Sequence, residues 1–287
     1  TGAPCIREME PGRDDHYRRP AMQSKLNTRP DDPAMVFWRP LGNCRQLAAI
    51  TMTLQCTIVP VTPYQQNCSV IKCTRTGHAA IVDPGGDVER ILDAVKKMDA
   101  TIAKVILTHG HVDHCSGSDL LRRQLDVPIE GPHPGDAFWL EKLSEWCRMA
   151  GMPPADPFTP DRWLGDGDTV TVGDLEFQVL HCPGHTPGHV VFFQAGQRLA
   201  WVGDVLFKGS IGRTDLPGGD SKQLISSIRD KLFPLGDDVT FIPGHGPTSR
   251  FGNERKTNPF VSDAVCGDWQ DGPEGQPVEN RSGQAPA

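Results

Sequence analysis

Apolar positions along the chain follow two periods, which predict alternating strands and helices from about residue 54 onward. Short apolar, β-branched runs predict strands, and apolar residues three and four positions apart predict helices. Val88, Ile91, Leu92 and Val95 form such a helical series directly after Asp87, a residue type that caps helices. The predicted strands cover residues 54–59, 68–73, 79–82, 105–107, 127–129, 169–172, 175–180, 190–194, 199–202 and 239–242. The predicted helices cover residues 87–95, 117–125, 136–149 and 221–232.

Two successive halves of this kind predict an α/β fold in which two sheets pack together with helices on the outside. We place a single domain at residues 53–262. Residues 1–52 are rich in Arg, Pro and Asp, and residues 263–287 are rich in Gly, Pro, Gln and Glu, without any period. Both ends are therefore predicted to be disordered. An arginine-rich targeting arm is the alternative interpretation of residues 1–52.

Charge and composition argue against several classes of protein. The 287 residues carry a formal net charge of -7, so the chain lacks the basic field of a nucleic-acid-binding protein. An apolar run of about 18 residues is absent, as is the pattern of a signal peptide, so we expect no membrane partner. The nine cysteines include no C-x-x-C pair, and several lie in predicted strands. Free thiols in a reducing compartment, and hence a cytoplasmic protein, are expected.

Candidate chemistry is concentrated directly after the predicted strand at residues 105–107. His109, His111, Asp113 and His114 follow that strand within six residues. His109 and His111 are two positions apart, so their side chains point to the same side of an extended segment. This density of imidazole and carboxylate groups predicts a metal site at the carboxyl end of a buried strand, where open α/β sheets place their ligands.

Three later strands also end on residues that can bind metals. His185 follows the strand at residues 175–180, Asp204 follows the strand at 199–202, and His245 follows the strand at 239–242. Glycines flank each of these positions and allow the backbone to turn sharply. Together with the first cluster, the three segments predict one site assembled from four strand ends.

This pattern, Thr108-His-x-His-x-Asp-His114 with the three later residues, resembles the metallo-β-lactamase fold. The stretches at residues 203–219 and 254–260 resemble the glyoxalase II (hydroxyacylglutathione hydrolase) branch, in its short, YcbL-type form. The resemblance covers residues 54–261. It implies a four-layer αββα sandwich with two metal ions at its rim.

The resemblance also implies a role for each candidate residue. Three residues would hold the first ion, three the second, and one would bridge them: His109, His111 and His185; Asp113, His114 and His245; and Asp204. Asp113 would in addition be catalytic and orient the attacking hydroxide. Imidazole and carboxylate ligands without thiolate suit zinc, our first choice, and equally iron or manganese.

The implied function is hydrolysis of a small-molecule thioester, S-D-lactoylglutathione or a related acyl thioester, by a metal-bridging hydroxide. Arg213 falls where the family carries a basic glutathione contact, so we expect it to bind the substrate. The chain departs from the long enzymes of the family because Glu254 and Arg255 follow His245 too closely for a helical glutathione-binding domain. Only two tyrosines are present, Tyr17 and Tyr64, so the family's tyrosine clamp is missing from the matching segments.

Several alternatives share this fold. An iron-dependent persulfide dioxygenase would share the Gly-Arg-Thr-Asp stretch at residues 212–215. Those enzymes end their last strand in a Pro-Ala-His-Asp-Tyr-like turn, whereas residues 243–246 read Pro-Gly-His-Gly, which favours hydrolysis. A β-lactamase, a nuclease and a catalytically idle metal-binding protein are less favoured. The oligomeric state is left open.

Overall fold

The computed structural model describes residues 53–267. Its first half is one five-stranded sheet with helices on one side. Residues 53–165 form five strands and five α-helices: β1 (Leu54–Val61), β2 (Gln66–Cys73), β3 (His78–Val82), α1 (Val88–Lys97), β4 (Thr101–Ile106), α2 (Val112–Cys115), α3 (Ser118–Leu125), β5 (Ile129–Glu130), α4 (Ala137–Glu141) and α5 (Leu143–Met149). The strand order is β1-β2-β3-β4-β5, and β3, β4 and β5 are parallel.

The second half contributes a six-stranded sheet and a small hairpin. Residues 166–267 form eight strands and three α-helices: β6 (Thr169–Val172), β7 (Leu175–His181), β8 (Val190–Gln194), β9 (Leu199–Gly203), β10 (Leu206–Phe207), β11 (Ser210–Ile211), α6 (Ser221–Ser226), β12 (Thr240–Pro243), β13 (Ser249–Arg250), α7 (Phe251–Thr257) and α8 (Asp263–Cys266). The order is β13-β12-β9-β8-β7-β6, and β10 pairs with β11. Strands β9 and β12 are parallel.

The inner layer of the fold lies between the two sheets. Side chains along a strand point alternately to its two faces, so each strand contributes one set of residues to this layer. Ile71 of the first sheet and Phe177 and Phe192 of the second belong to one buried apolar cluster. The two sheets therefore pack face to face.

The neighbouring residues along the same strands pack outward against the helices. Val70, adjacent to Ile71, is buried with Ile91 of α1, and Phe193, adjacent to Phe192, is buried with Leu224 of α6. Each sheet is thus covered by helices on its outer face. The four-layer αββα sandwich expected from the resemblance is confirmed.

The structure departs from the predicted helices in two places. The helix expected at residues 136–149 is broken at Lys142, whose φ of -108° and ψ of 21° separate α4 from α5. The rings of Trp139 in α4 and Trp146 in α5 pack together across this break, with centroids 4.6 Å apart. The helix expected at 221–232 continues beyond α6 as a π-helical segment, Ser227–Leu232.

The tail predicted at residues 263–287 overlaps the described part of the chain at residues 263–267. The first residues of that tail form α8, and the Asp263 carboxylate accepts a hydrogen bond of 2.9 Å from Arg255 Nε. Arg229 Nη2 donates to the Gly267 carbonyl at 2.8 Å. These contacts extend the packed domain through residue 267. The disorder predicted for residues 1–52 and 268–287 concerns positions outside the described residues.

Two further expectations concern the described part of the chain. Every helix within residues 53–267 is too short or too polar to span a bilayer. The cysteines of this region are all free: Cys56, Cys68, Cys73, Cys115, Cys147, Cys182 and Cys266.

Replacement of Phe177 by Ala tests the inner layer. Phe177 is fully buried between the sheets, so Phe177→Ala is expected to lower the free energy of unfolding by about 3–5 kcal/mol. The adjacent Glu176 is exposed on the same strand. Glu176→Ala is expected to change the free energy of unfolding by less than about 0.5 kcal/mol. Urea unfolding followed by circular dichroism measures both. Equal effects of the two substitutions would contradict the layering.

Candidate metal centre

The predicted site residues converge at one edge of the sandwich. The segment after β4 carries His109 and His111 in a loop and Asp113 and His114 in helix α2, and the loops after β7, β9 and β12 carry the other three residues. These loops meet because the carboxyl ends of the strands that precede them lie at the same edge. The residues line or adjoin a cleft of about 690 Å³.

The first ligand group consists of His109, His111 and His185. His111 Nδ1 lies 3.1 Å from His109 Nε2 and 2.9 Å from His185 Nε2. Two nitrogens bound to one tetrahedral zinc ion would lie about 3.3 Å apart, so the three rings are close to the spacing of a metal site. Burial lowers the pKa of all three rings, and that of His111 to about 3. The rings are therefore neutral at pH 7, as metal ligands must be.

The second ligand group consists of Asp113, His114 and His245. Asp113 Oδ2 lies 3.1 Å from His245 Nε2 and 3.9 Å from His114 Nε2. Burial would raise the pKa of Asp113, but the neighbouring His114 and His245 hold it below its ordinary value. Burial would likewise lower the pKa of His114, but Asp204 and Asp113 raise it well above its ordinary value.

Asp204 lies between the two groups. Its Oδ2 is 3.6 Å from His185 Nε2 of the first group and 3.6 Å from His245 Nε2 of the second. Its Oδ1 is 3.4 Å from His114 Nε2. Burial opposes ionisation of this carboxyl, but His114 and His185 hold its pKa far below the ordinary value. Asp204 is thus an ionised carboxylate whose two oxygens face both groups, as a bridging ligand requires.

Two buried atoms test whether these residues fit metal ions. His114 Nε2 and Asp204 Oδ1 lie 3.4 Å apart, but neither has the geometry of a hydrogen bond with the other or with another atom of residues 53–267. Buried polar atoms are nearly always paired, so a bound ion is a physical explanation for both. Gly244 shows how closely the chain approaches them, since a Cβ atom there would lie 2.1 Å from Asp204 Oδ1 and 2.6 Å from His114 Cε1. The residues present therefore fit a pair of metal ions.

Comparison with known proteins agrees with this arrangement. Residues 61–245 match the family described as the metallo-beta-lactamase superfamily. The chain belongs to this superfamily. A superfamily relative, the hydroxyacylglutathione hydrolase GloC of Haemophilus influenzae, is 45% identical over 206 residues, which cover 71% of this chain and 97% of the relative.

Two solved structures of superfamily proteins are also similar. The structure of TTHA1623 in a di-iron-bound form has a TM-score of 0.66 and 36% identity, and the match covers 71% of this chain and 100% of that one. The BLEG-1 B3 metallo-beta-lactamase has a TM-score of 0.67 and 35% identity over 72% of this chain and 99% of that one. The predicted fold family is confirmed, and the protein is a metal-binding hydrolase of this superfamily.

Oxygen atoms outside the predicted ligand set orient four of the candidate histidines. The second ring nitrogen of each contacts an oxygen: His109 with Thr108 Oγ1 (3.0 Å), His114 with Asp83 Oδ2 (3.0 Å), His185 with the Arg213 carbonyl (2.8 Å) and His245 with the Tyr64 carbonyl (3.1 Å). Such contacts fix the tautomer and the ring plane of a metal-binding histidine.

Asp83 is close enough to His109 and His114 to resemble a third ligand group. Its carboxylate, however, also accepts hydrogen bonds from the Thr108 backbone N–H at 2.7 Å and from Thr108 Oγ1 at 2.6 Å. These hydrogen bonds engage both oxygens of the carboxylate, and Asp83 is not one of the residues that line the cleft. Asp83 therefore orients His114.

His189 is a further buried histidine beside the centre. Its Nε2 accepts a hydrogen bond of 3.0 Å from the Asp204 backbone N–H, and its ring stacks on His109 with centroids 4.6 Å apart. This contact positions Asp204. His189 directly precedes β8, and β8 pairs antiparallel with β9, so the start of β8 lies beside the end of β9 that precedes Asp204.

Arg213, the predicted substrate contact, lies on the wall of the cleft. Its guanidinium binds Asp215 through two contacts of 2.7 Å, from Nε to Oδ1 and from Nη2 to Oδ2. Its side chain thus already has an anionic partner. Its carbonyl oxygen orients His185, a backbone contact that residue type cannot reveal.

Asp136 is a buried carboxylate near the centre that the sequence analysis placed only at the start of a helix. It accepts hydrogen bonds from Gly110 and Gly188, which lie in the two loops of the first ligand group. Acidic residues at helix starts usually cap the helix. The position of Asp136 in the sequence therefore gives no sign of its hydrogen bonds with Gly110 and Gly188.

Substitution of the bridging residue tests the two-group arrangement. Asp204→Asn removes the negative charge that both groups share, and about half of the bound metal or more should be lost. The exposed Asp93 of α1 provides the control Asp93→Asn, which should retain the wild-type metal content. Elemental analysis of protein purified in the presence of metal measures both. Wild-type metal content in Asp204→Asn would refute the bridging role.

Proposed function

We propose that this protein is a binuclear metal-dependent thioesterase that hydrolyses S-D-lactoylglutathione or a related acyl thioester. The observation that carries the proposal is the pair of ligand groups facing one ionised carboxylate, Asp204. Similarity to a hydroxyacylglutathione hydrolase supports the thioester class. Zinc is our first choice for the two divalent ions, and a similar protein in a di-iron-bound form supports iron as an alternative to zinc or manganese.

When bound, two divalent ions supply an activated water and polarise the substrate carbonyl. Asp113 lines the cleft, and its neighbours keep it ionised. We assign it to accept a hydrogen bond from the attacking water and so to orient it. Hydrolysis of a thioester releases a thiol with a pKa of about 8.5, so the leaving group departs as thiolate without a dedicated general acid.

The cleft walls determine how the rest of the substrate binds. The residues that line the cleft include the apolar Trp146, Met149, Ile211 and Leu216 and the basic Arg213. Because Arg213 is already paired, a substrate carboxylate must compete with Asp215 for it. We therefore propose a small-molecule thioester that has an apolar portion, and we propose no nucleic-acid partner. Free thiols in the described region favour a reducing compartment, which we take to be the cytoplasm.

The role of Arg213 can be tested with anionic and neutral thioesters of similar size. Arg213→Ala should raise KM for the anionic thioester by about threefold to tenfold, the effect of about 1 kcal/mol from an exposed charge contact. It should change kcat less, as expected for uniform binding. Asp215→Asn removes the competing carboxylate and should lower that KM. KM for the neutral thioester should change little in either variant. An unchanged KM for the anionic thioester in both would exclude substrate contact by Arg213.

The function itself is tested on protein reconstituted separately with zinc, iron or manganese. We expect release of free thiol from S-D-lactoylglutathione or another acyl thioester with at least one of the three metals. Asp204→Asn is the control for contaminating activity, and it should retain only a small fraction of turnover.

A persulfide dioxygenase is the second candidate, favoured by the Gly-Arg-Thr-Asp stretch at residues 212–215. Measurement of oxygen consumption with glutathione persulfide as substrate distinguishes the dioxygenase from the thioesterase. Oxygen consumption by the iron form without cleavage of any thioester would replace the proposed function with the second candidate.

A further inference from the structure

We propose that Asp136 is a positioning residue of the metal centre, which fixes the loop of His109 and His111 against the loop of His185. The inference rests on the metal centre and not on the identity of the substrate. Asp136 is not among the seven predicted ligands, and its side chain is fully buried. It acts through the backbone of the two loops.

The carboxylate of Asp136 contacts both loops at the same time. Oδ2 accepts a hydrogen bond of 2.8 Å from the backbone N–H of Gly110, which lies between His109 and His111. Oδ2 also accepts one of 2.8 Å from Thr186 Oγ1, the residue after His185. Oδ1 accepts one of 2.6 Å from the backbone N–H of Gly188. One side chain therefore joins two segments that are far apart in the sequence.

The backbone around Asp136 is itself fixed to the second of these loops. The His133 N–H donates to the Gly188 carbonyl at 3.0 Å, and the Asp136 N–H donates to the His133 carbonyl at 3.0 Å. A Cβ atom on Gly188 would lie 2.4 Å from the Asp136 nitrogen and 2.7 Å from its Cγ. Glycine at position 188 is thus what allows the loop to come within reach of the carboxylate.

The donors around Asp136 require its ionised form. Two of the three are backbone N–H groups, which can only donate. Burial raises the pKa of Asp136 to about 6, and the hydrogen bonds from Thr186, Gly110 and Gly188 oppose that rise. An asparagine has nearly the same shape, but its amide nitrogen would face at least one of these donors. Asp136→Asn should therefore loosen at least one loop without leaving a cavity.

The effect of Asp136→Asn on metal binding should be confined to the first ligand group. His111 Nδ1 and His185 Nε2, which are 2.9 Å apart, belong to the two loops that Asp136 joins. In the second group, His114 is oriented by Asp83 and His245 by the Tyr64 carbonyl. Loss of these hydrogen bonds in Asp136→Asn should therefore lower the affinity for one ion much more than the affinity for the other.

Glu254 offers a matched control. It is 2% exposed, and its carboxylate accepts hydrogen bonds from the Gly209 N–H at 2.7 Å, Ser249 Oγ at 2.5 Å and Asn258 Nδ2 at 3.0 Å. Glu254→Gln therefore perturbs a comparable buried carboxylate whose partners lie outside the metal-ligand loops.

The experiment is a titration of metal-free full-length protein with Co²⁺, followed by its electronic spectrum and by competition with a chelator. Asp136→Asn should reduce the affinity for one of the two ions by about 10-fold to 100-fold, the usual effect of losing an outer-shell contact. It should leave the affinity for the other ion within about threefold. Glu254→Gln should bind both ions like the wild type even if its thermal stability falls.

Two-ion binding by Asp136→Asn that matches the wild type in affinity and spectrum would overturn the proposal, as would equal weakening of both ions. If Asp136→Asn does not fold, Thr186→Val decides, because it removes one of the three hydrogen bonds at nearly constant volume. This variant should reduce the affinity for the same one of the two ions by at least about threefold. Wild-type affinity for both ions in Thr186→Val would then overturn the proposal. Because Co²⁺ binding is measured without a thioester, failure here is distinct from failure of the proposed function.

Discussion

The close approach of the ligand nitrogens is the constraint on which the rest of the site depends. His111 Nδ1 lies 2.9 Å from His185 Nε2 and 3.1 Å from His109 Nε2. At such distances, a ring that presents an N–H to its neighbour forms a hydrogen bond, whereas two facing lone pairs repel each other. Burial lowers the pKa of all three rings and so keeps them neutral. A divalent cation would accept a lone pair from each of the three rings at once, and the surrounding protein holds the rings at the spacing that this requires.

The fold meets this constraint at two levels. The buried sheets provide rigid strand ends, and the loops that follow them carry the ligands. Oxygen atoms outside the ligand set then fix individual rings, as Asp83 does for His114 and as the Arg213 carbonyl does for His185. Carbonyl groups serve this purpose for His185 and His245 without adding charge. Among the carboxylates of the site, Asp204 is the one whose oxygens face both ligand groups.

The metal centre and the cleft contribute differently to function. Proteins similar to this chain include a hydroxyacylglutathione hydrolase and a B3 metallo-beta-lactamase, so the shared fold does not by itself select a substrate. The proposed function assigns substrate selection to the cleft walls, where Trp146 and Met149 are apolar and the charge of Arg213 is balanced by Asp215. It assigns the hydrolytic chemistry to the metal centre and the preference for substrate shape and polarity to the cleft.

The sequence by itself determined most of the strands and all seven candidate ligands, because apolar periodicity is local and each ligand directly follows an apolar strand. The family resemblance added the αββα layering and the division into two ligand groups. Only the tertiary structure decided that His189 supports Asp204, that Arg213 is paired with Asp215, and that Asp136 joins two ligand loops. The physical reason is that periodicity reports which face of an element is buried. A hydrogen-bond partner, in contrast, depends on where distant loops lie relative to one another after the sheets have packed.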